Sequence, residues 1–236
     1  MEEFADVRSS LRVYLLGSLP YEEFLAFQRR LAYEVGGEPE LASLVVCEHP
    51  PIVTIGRDGS RRHVRLSPEA MAGREWRQRY VARGGGTMLH VPGQVCAYPI
   101  LPLISLRRTP GEYLRELLVA ARDVVATYGV DVTVDSERPG LRVGERRIAH
   151  TGIAVRSEVT AFGLVVNVCP DLELFESIDC DGDPKSMTSL ERESPRRVRL
   201  AGVRVELANA IAARFGYSRQ TVLHSHNILH ANAHRR

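Results

Sequence analysis

Two segments of the chain carry side chains suited to group transfer. Cys180 stands among Asp179, Asp181, Gly182 and Asp183, a polar loop where a cysteine is less often core filler than in an apolar run. A thiol of ordinary pKa, about 8.5, is only a few per cent ionised at neutral pH, so nucleophilic use needs a base or a favourable charge beside it. Taken alone, the residue also reads as an incidental exposed thiol. The second segment, Arg83 to Gln94, holds Gly84-Gly85-Gly86 followed by His90 and Gly93. Its glycines expose backbone N–H groups and permit close approach of a ligand, while Arg83 and His90 supply a charge and a proton carrier. The loop reads either as a ligand cradle or as a glycine-rich hairpin with an exposed histidine. It is neither a phosphate loop, since no lysine follows the glycines, nor a dinucleotide G-x-G-x-x-G. The only lysine in the chain is Lys185. His224, His226, His230 and His234 lack cysteine or carboxylate partners and read as solvated, so no metal is expected.

The elements that must position these groups follow from periodicity and turn chemistry. Leu11 to Leu16 is a predicted strand, and Ser18-Leu19-Pro20 starts a helix whose Phe24, Phe27, Leu31 and Val35 share one face up to Gly36-Gly37. Leu44 to Cys47 and Ile52 to Ile55 are short buried strands around His49-Pro50-Pro51, and Val95 to Ile100 is an apolar run behind the glycine loop. Thr109-Pro110-Gly111-Glu112 forms a capping box for a helix that buries Leu114, Leu117, Leu118, Ala121 and Val125. Leu141 to Val143 and Arg147 to Val155 read as a hairpin around Gly144-Glu145, and Gly163 to Val168 as a further strand. Leu200, Val203, Leu207, Ile211 and Phe215 define a last amphipathic helix. Cys47, Cys96 and Cys169 lie in strand-like runs and are expected in the core as free thiols.

At 236 residues and 44% hydrophobic content, one α/β domain spanning residues 1–236 is expected, a mixed sheet packed by helices. A net charge of +2 with interspersed signs gives no concentrated positive field, so nucleic acid is not an expected partner. The acidic start before Leu11 is neither a signal peptide nor a membrane span, so a cytoplasmic protein without a membrane partner is expected.

Arg83, Gly84, Gly85, His90, Pro92, Gly93, Gln94, Tyr98 and Pro99 together resemble the signature of lipoyl(octanoyl) transferases, with Met88, Leu89 and Val91 departing from it. Glu48-His49-Pro50-Pro51 with Thr54, Gly56 and Arg57 is similar to that family's early motif. So is Gly163 to Val168 followed by Asp171-Leu172, Phe175, Ile178 and Cys180. The resemblance spans Glu48 to Leu190. It implies the mixed-sheet fold, class II synthetase-like, that these transferases share with lipoate and biotin ligases. It also implies an octanoyl group moved from acyl carrier protein, through a thioester on Cys180, to a lysine of lipoyl domains in 2-oxoacid dehydrogenases or the glycine cleavage H protein, with no cofactor. Arg83, Gly84, Gly85, Gly86, Gly93, Gln94, Thr151, Gly152 and Gly163 are the implied substrate-binding residues.

The family's lysine motif reads Arg147-Ile148-Ala149-His150-Thr151-Gly152 here, and Phe162 stands where the family has a second histidine. Arg147 can stabilise a thiolate, but its pKa above about 12 prevents it from accepting and returning a proton. Three groups compete for that task. His150 lies three positions from Arg147 on a predicted strand and should point to the opposite face; Lys185 follows Cys180 by five residues; His90 is the first choice. Rival functions are an ATP-dependent lipoate ligase, suggested by Gly84-Gly85-Gly86 and His90, and a relative that binds acyl group or carrier without turnover. A site retuned for another acyl chain is a fourth reading.

Overall fold

A computed structural model describes residues 10–38, 40–184 and 187–224; Lys185, His226, His230 and His234 lie outside them. The strands are β1 (Leu11–Ser18), β2 (Ala42–Glu48), β3 (Ile52–Ile55), β4 (Arg77–Tyr80), β5 (Thr87–His90), β6 (Gln94–Ile100), β7 (Thr133–Asp135), β8 (Gly140–Val143), β9 (Arg146–Arg156), β10 (Val159–Asn167) and β11 (Gln220–Leu223). The helices are α1 (Tyr21–Gly37), α2 (Pro68–Gly73), α3 (Leu103–Leu106), α4 (Pro110–Thr127), α5 (Leu190–Glu193) and α6 (Leu200–Arg214). Eight strands form one sheet in the order β11-β1-β2-β6-β10-β9-β8-β7, and β4-β3-β5 form a second, three-stranded one. The large sheet is mixed: β1 runs parallel to β11 and β2, and every pairing from β2 through β6 to β7 is antiparallel. Among the described residues no helix is long and apolar enough to cross a membrane.

Alternation along the central strands feeds two cores on opposite faces of this sheet. Leu44, Val46, Val95 and Ala97 pack beneath α4 and α6, whereas Val45, Cys47, Cys96 and Tyr98 pack beneath α1 with Phe24, Phe27, Leu31 and Val35. All of β6 is buried, as expected of a strand covered on both faces. The Thr109 capping box forms as its residues dictate, with Thr109 Oγ1 accepting from the Glu112 amide and the Glu112 carboxylate accepting from the Thr109 amide. Leu114 is only half-buried, because Tyr113 fills that turn of α4 instead. Cys169, expected in the core, is likewise half-buried just beyond the end of β10.

A third core lies under the small sheet and contains Val53, Ile55, Leu89, Val91, Phe175, Ile178, Met187 and Cys180. The glycine segment therefore folds as a strand at its far end: β5 pairs antiparallel with β3, so Leu89 faces this third core while Met88 belongs to the core under α1.

Gly163 on β10 sits so close to β6 that a Cβ atom there would lie 2.2 Å from the Ala97 carbonyl oxygen. Gly163→Ala should cost more than about 3 kcal/mol in urea unfolding, since neither backbone can withdraw. Gly111→Ala, in the first turn of α4 with open space around it, should instead gain up to about 1 kcal/mol.

Candidate active site

A one-residue irregularity in β9 creates the site. Leu141 pairs with Ala149 but Arg142 pairs with Arg147, leaving Ile148 as an extra residue. Ile148 and Ala149 consequently both enter the core under α4, and the side chains on either side of them, Arg147 and His150, emerge on the same opposite face. Regular alternation predicted that these two would diverge. The bulge reverses that expectation, and both reach one carboxylate, Asp181 Oδ2, at 3.6 Å from Arg147 Nη1 and 3.6 Å from His150 Nδ1.

Arg147 is 1% exposed and almost entirely occupied. Nη1 donates to the Arg138 carbonyl (2.9 Å) and Nη2 to Asp135 Oδ2 (3.1 Å), with Asp183 Oδ2 at 4.0 Å. Arg142 bridges Asp135 and Asp183 beside it, and Arg138 closes the rim at 3.7 Å from Asp183. Three guanidinium groups thus face three carboxylates. Burial would raise the Asp181 carboxyl, but the His150 ring, the Arg147 charge and the Gly86 amide overcome it and hold the group at about 2.

Cys180 opens a short 3-10 turn (Cys180–Gly182) and is buried, not exposed as its polar neighbours suggested. Burial pushes its thiol up to about 12; a backbone hydrogen bond with Leu89 and the charges of Arg147 and Arg83 oppose this, while Asp181 adds to it. The buried thiol is therefore protonated at neutral pH. Asp181 holds the left-handed conformation (φ 55°), which turns its carboxylate back toward β9 while Cys180 faces the third core.

The glycine loop is a clasp on this turn and not an open cradle. The amides of Gly84, Gly85 and Gly86 donate to the Ile153 carbonyl (2.8 Å), Asp58 Oδ2 (3.0 Å) and Asp181 Oδ1 (2.8 Å) respectively. A Cβ on Gly86 would lie 2.7 Å from the Asp181 Cα. Arg83 is spent on Thr54 Oγ1 (2.8 Å) and the Gly84 carbonyl (3.0 Å). Gly93 and Gln94 hold the β5–β6 turn: Gly93 has φ 90°, and Gln94 bonds the Val91 amide and Asn167. Thr151 donates across to the Gly163 carbonyl at 3.0 Å.

His90 lies on the β5 face shared with Met88. It pairs with Thr54 Oγ1 (3.2 Å) and stacks near Tyr21 and His49, with ring centroids 5.4 and 5.5 Å away; burial holds its pKa well below the ordinary value. His90, Arg83, Gly152, Gly163 and Phe162 line one crevice of only about 10 Å³. Phe162 closes it. Its φ of 60° swings the ring to the same face as Ala161, and the buried Gln28 fixes this by accepting from the Phe162 amide at 2.6 Å. On the other side of Phe162 an apolar groove of about 250 Å³ runs between α1 and the ends of β9 and β10. Among the described residues no cluster of three or more histidine, cysteine or acidic side chains is arranged to hold a metal.

The ion cluster of Arg138, Arg142, Asp135, Asp181 and Asp183 had not been picked out from the sequence. Its one local signal was the pair of adjacent apolar residues Ile148-Ala149 inside a strand whose neighbours alternate.

The architecture is shared with solved ligases of acyl cofactors. Lipoate-protein ligase A bound with ATP superposes with a TM-score of 0.74 over 94% of this chain and 92% of that one at 16% identity. A biotin protein ligase from Leishmania major gives 0.51 over 86% and 72% at 15% identity. The sequence is more specific: residues 20–212 match the lipoyl protein ligase A/B catalytic domain, and the chain belongs to that family. Octanoyltransferases are among its relatives, one from Nitratidesulfovibrio vulgaris strain DP4 at 36% identity over 75% of this chain and 82% of the relative, and one from Synechococcus elongatus at 34% over 84% of each.

The Asp181 carboxyl, about 2 in the fold against about 3.9 unfolded, contributes stability that is present above pH 4 and is lost as pH falls through about 2. Asp181→Asn should remove about 2 kcal/mol at neutral pH and flatten the acid limb of the stability curve, read by urea unfolding across that range.

Proposed function

We propose that this chain is an octanoyltransferase that moves an octanoyl group from acyl carrier protein onto Cys180 and from there to a lysine of a lipoyl domain. The observation that carries the reading is the seating of Cys180. It is a nucleophile at the start of a turn clasped by the glycine loop and by Arg147, in a chain whose relatives include named octanoyltransferases. A thioester intermediate divides amide formation into two exchanges, a nearly isoenergetic one from one sulfur to another and then a downhill one from sulfur to nitrogen. Arg147 is read as a positioning residue, because its donors are held by Arg138, Asp135 and Asp181.

The ligase reading has less support. An ATP phosphate needs free N–H donors, and the amides of Gly84, Gly85 and Gly86 are all paired within the protein. Cys180 would also have no task. We read the groove between α1 and β10 as the mouth for the acyl chain and Phe162 as its gate, since a cavity of about 150 Å³ admits a benzene-sized ligand and the groove exceeds that. The inner crevice takes no chain until the ring turns.

Incubation with octanoyl acyl carrier protein should give a Cys180 adduct by mass spectrometry that transfers to lipoyl domain without ATP. No adduct defeats the reading, an adduct that never transfers favours a binding role, and labelling only with ATP favours a ligase. Arg147→Lys should slow transfer at least about tenfold, because one ammonium cannot span the Arg138 carbonyl, Asp135 and Asp181; a gain would mean the lysine position is merely damaged here. Phe162→Ala should speed adduct formation with acyl chains longer than octanoyl, and unchanged chain preference would remove the gate.

A further inference from the structure

Resting on that reading, we propose that His63 is a positioning residue that clamps the Cys180 turn, so that the sulfur stands in one place for both halves of the transfer. His63 ends a short 3-10 turn (Arg61–His63) that leads into the third core at Val64. Its carbonyl accepts at 2.8 Å from the amide of Asp179, the residue just before Cys180. Beside that bond Val64 and Ile178 form an antiparallel bridge, and the Arg65 amide donates to the Ser177 carbonyl at 2.9 Å. Val64 and Ile178 belong to the core in which Cys180 packs. The backbone at His63 therefore builds part of the wall around the thiol.

The ring of His63 holds the far end of the same turn. A Cβ on Gly182 would lie 3.0 Å from His63 Cε1 and 3.1 Å from Nε2, so the imidazole lies directly on the Gly182 backbone. Gly182 leaves room for the ring and takes a left-handed φ of 69°, which glycine adopts freely. Asp181 precedes it at φ 55°. Two successive left-handed residues, one of them carrying a side chain, persist only where the surroundings over-determine them.

The direction of the ring's hydrogen bond follows from Thr87. That hydroxyl gives its one hydrogen to the Ser60 carbonyl at 3.0 Å and accepts from the Ser60 amide at 3.3 Å. At the 3.3 Å contact with His63 Nδ1 the imidazole is therefore the donor. Thr87 follows Gly86, whose amide grips Asp181 Oδ1. Ser60, His63, Thr87 and Gly86 thus form one connected unit that holds the turn at Asp179, Asp181 and Gly182. In acylation the Cys180 sulfur bonds the thioester carbonyl carbon, the carbon–sulfur bond to the carrier breaks, and the thiol proton ends on the departing sulfur. In the second half the acceptor amine bonds that carbon, the bond to Cys180 breaks, and an amine proton returns to the Cys180 sulfur. Both halves need the sulfur in the same place, and a displacement of about 1 Å costs about 10²-fold in rate.

Two rates on the full chain test the clamp, both read at Cys180 by mass spectrometry. One is single-turnover acylation by octanoyl acyl carrier protein; the other is alkylation by iodoacetamide with no acyl donor present. His63→Ala should slow acylation by roughly 10 to 10²-fold. It should speed alkylation on the order of tenfold, because a freed turn opens the buried thiol to solvent. Thr87→Val should move both rates in the same directions, and the double variant should be no worse than His63→Ala alone. His63→Asn should recover part of the acylation rate, since its side-chain amide replaces Nδ1 as the donor to Thr87. A lowered melting temperature with both rates native makes His63 a structural residue only and overturns the proposal. Slowing of both rates also overturns it, because a loosened turn cannot shield the thiol better than a clamped one. If His63→Ala does not fold, His63→Asn and Thr87→Val decide by the same two rates. A native chain that gives no octanoyl adduct, while His63→Ala still speeds alkylation, sinks only the octanoyl reading.

Discussion

The guanidinium of Arg147 is buried at the end of the large sheet, and a charge in that position is tolerated only where acceptors replace the water it has lost. Asp135 comes from β7, the Arg138 carbonyl from the turn before β8, and Asp181 and Asp183 from the turn that begins with Cys180. One side chain thereby joins the sheet edge to the Cys180 loop. Withdrawing it would remove a positive charge from beside Asp135, Asp181 and Asp183 and leave Arg142 and Arg138 as the cluster's remaining guanidinium groups, and a lost member of such a cluster costs on the order of 3 kcal/mol. The two Nη groups of Arg147 point at oxygen while Nε has no acceptor among the described residues, and the guanidinium keeps its proton at any working pH.

The same constraint gives the glycines their reason. Gly86 lets the loop lie against the Asp181 backbone, Gly152 lets it lie against β9, where a Cβ would come within 2.6 Å of the Gly84 carbonyl, and Gly163 lets β10 lie against β6. These positions are dictated by close backbone packing around the Cys180 turn. Phe162 then occupies the space above Gly163 in a conformation bulky residues avoid, held by Gln28 from α1. An apolar ring in the place of a hydrogen-bonding one closes the crevice and separates it from the outer groove.

Much of the framework was legible in the chain. The capping box at Thr109, the buried face of α1, the hairpin around Gly144 and the free thiols of Cys47 and Cys96 all follow from local chemistry that tertiary contacts only reinforce. Local rules failed where a residue's neighbours in space differ from its neighbours in sequence. Cys180 looked exposed because acids surround it, yet those acids turn toward arginines from β8 and β9 while the thiol packs on Leu89 and Ile178. The glycine amides looked available because nothing nearby in sequence pairs with them; their acceptors come from Asp58, Ile153 and Asp181.

By itself the sequence determined the family, the mixed sheet with its helices, Cys180 as the nucleophile to consider, and an arginine at position 147 that cannot exchange a proton. Those depend on residue identity and spacing, which the chain carries directly. Only the tertiary structure decided that His150 and Arg147 converge on Asp181, because a single extra residue at Ile148 shifts the alternation of β9 and has no certain mark in the sequence. Strand alternation is a local rule, and a bulge is set by the partner strand opposite, here β8, whose register the chain does not state.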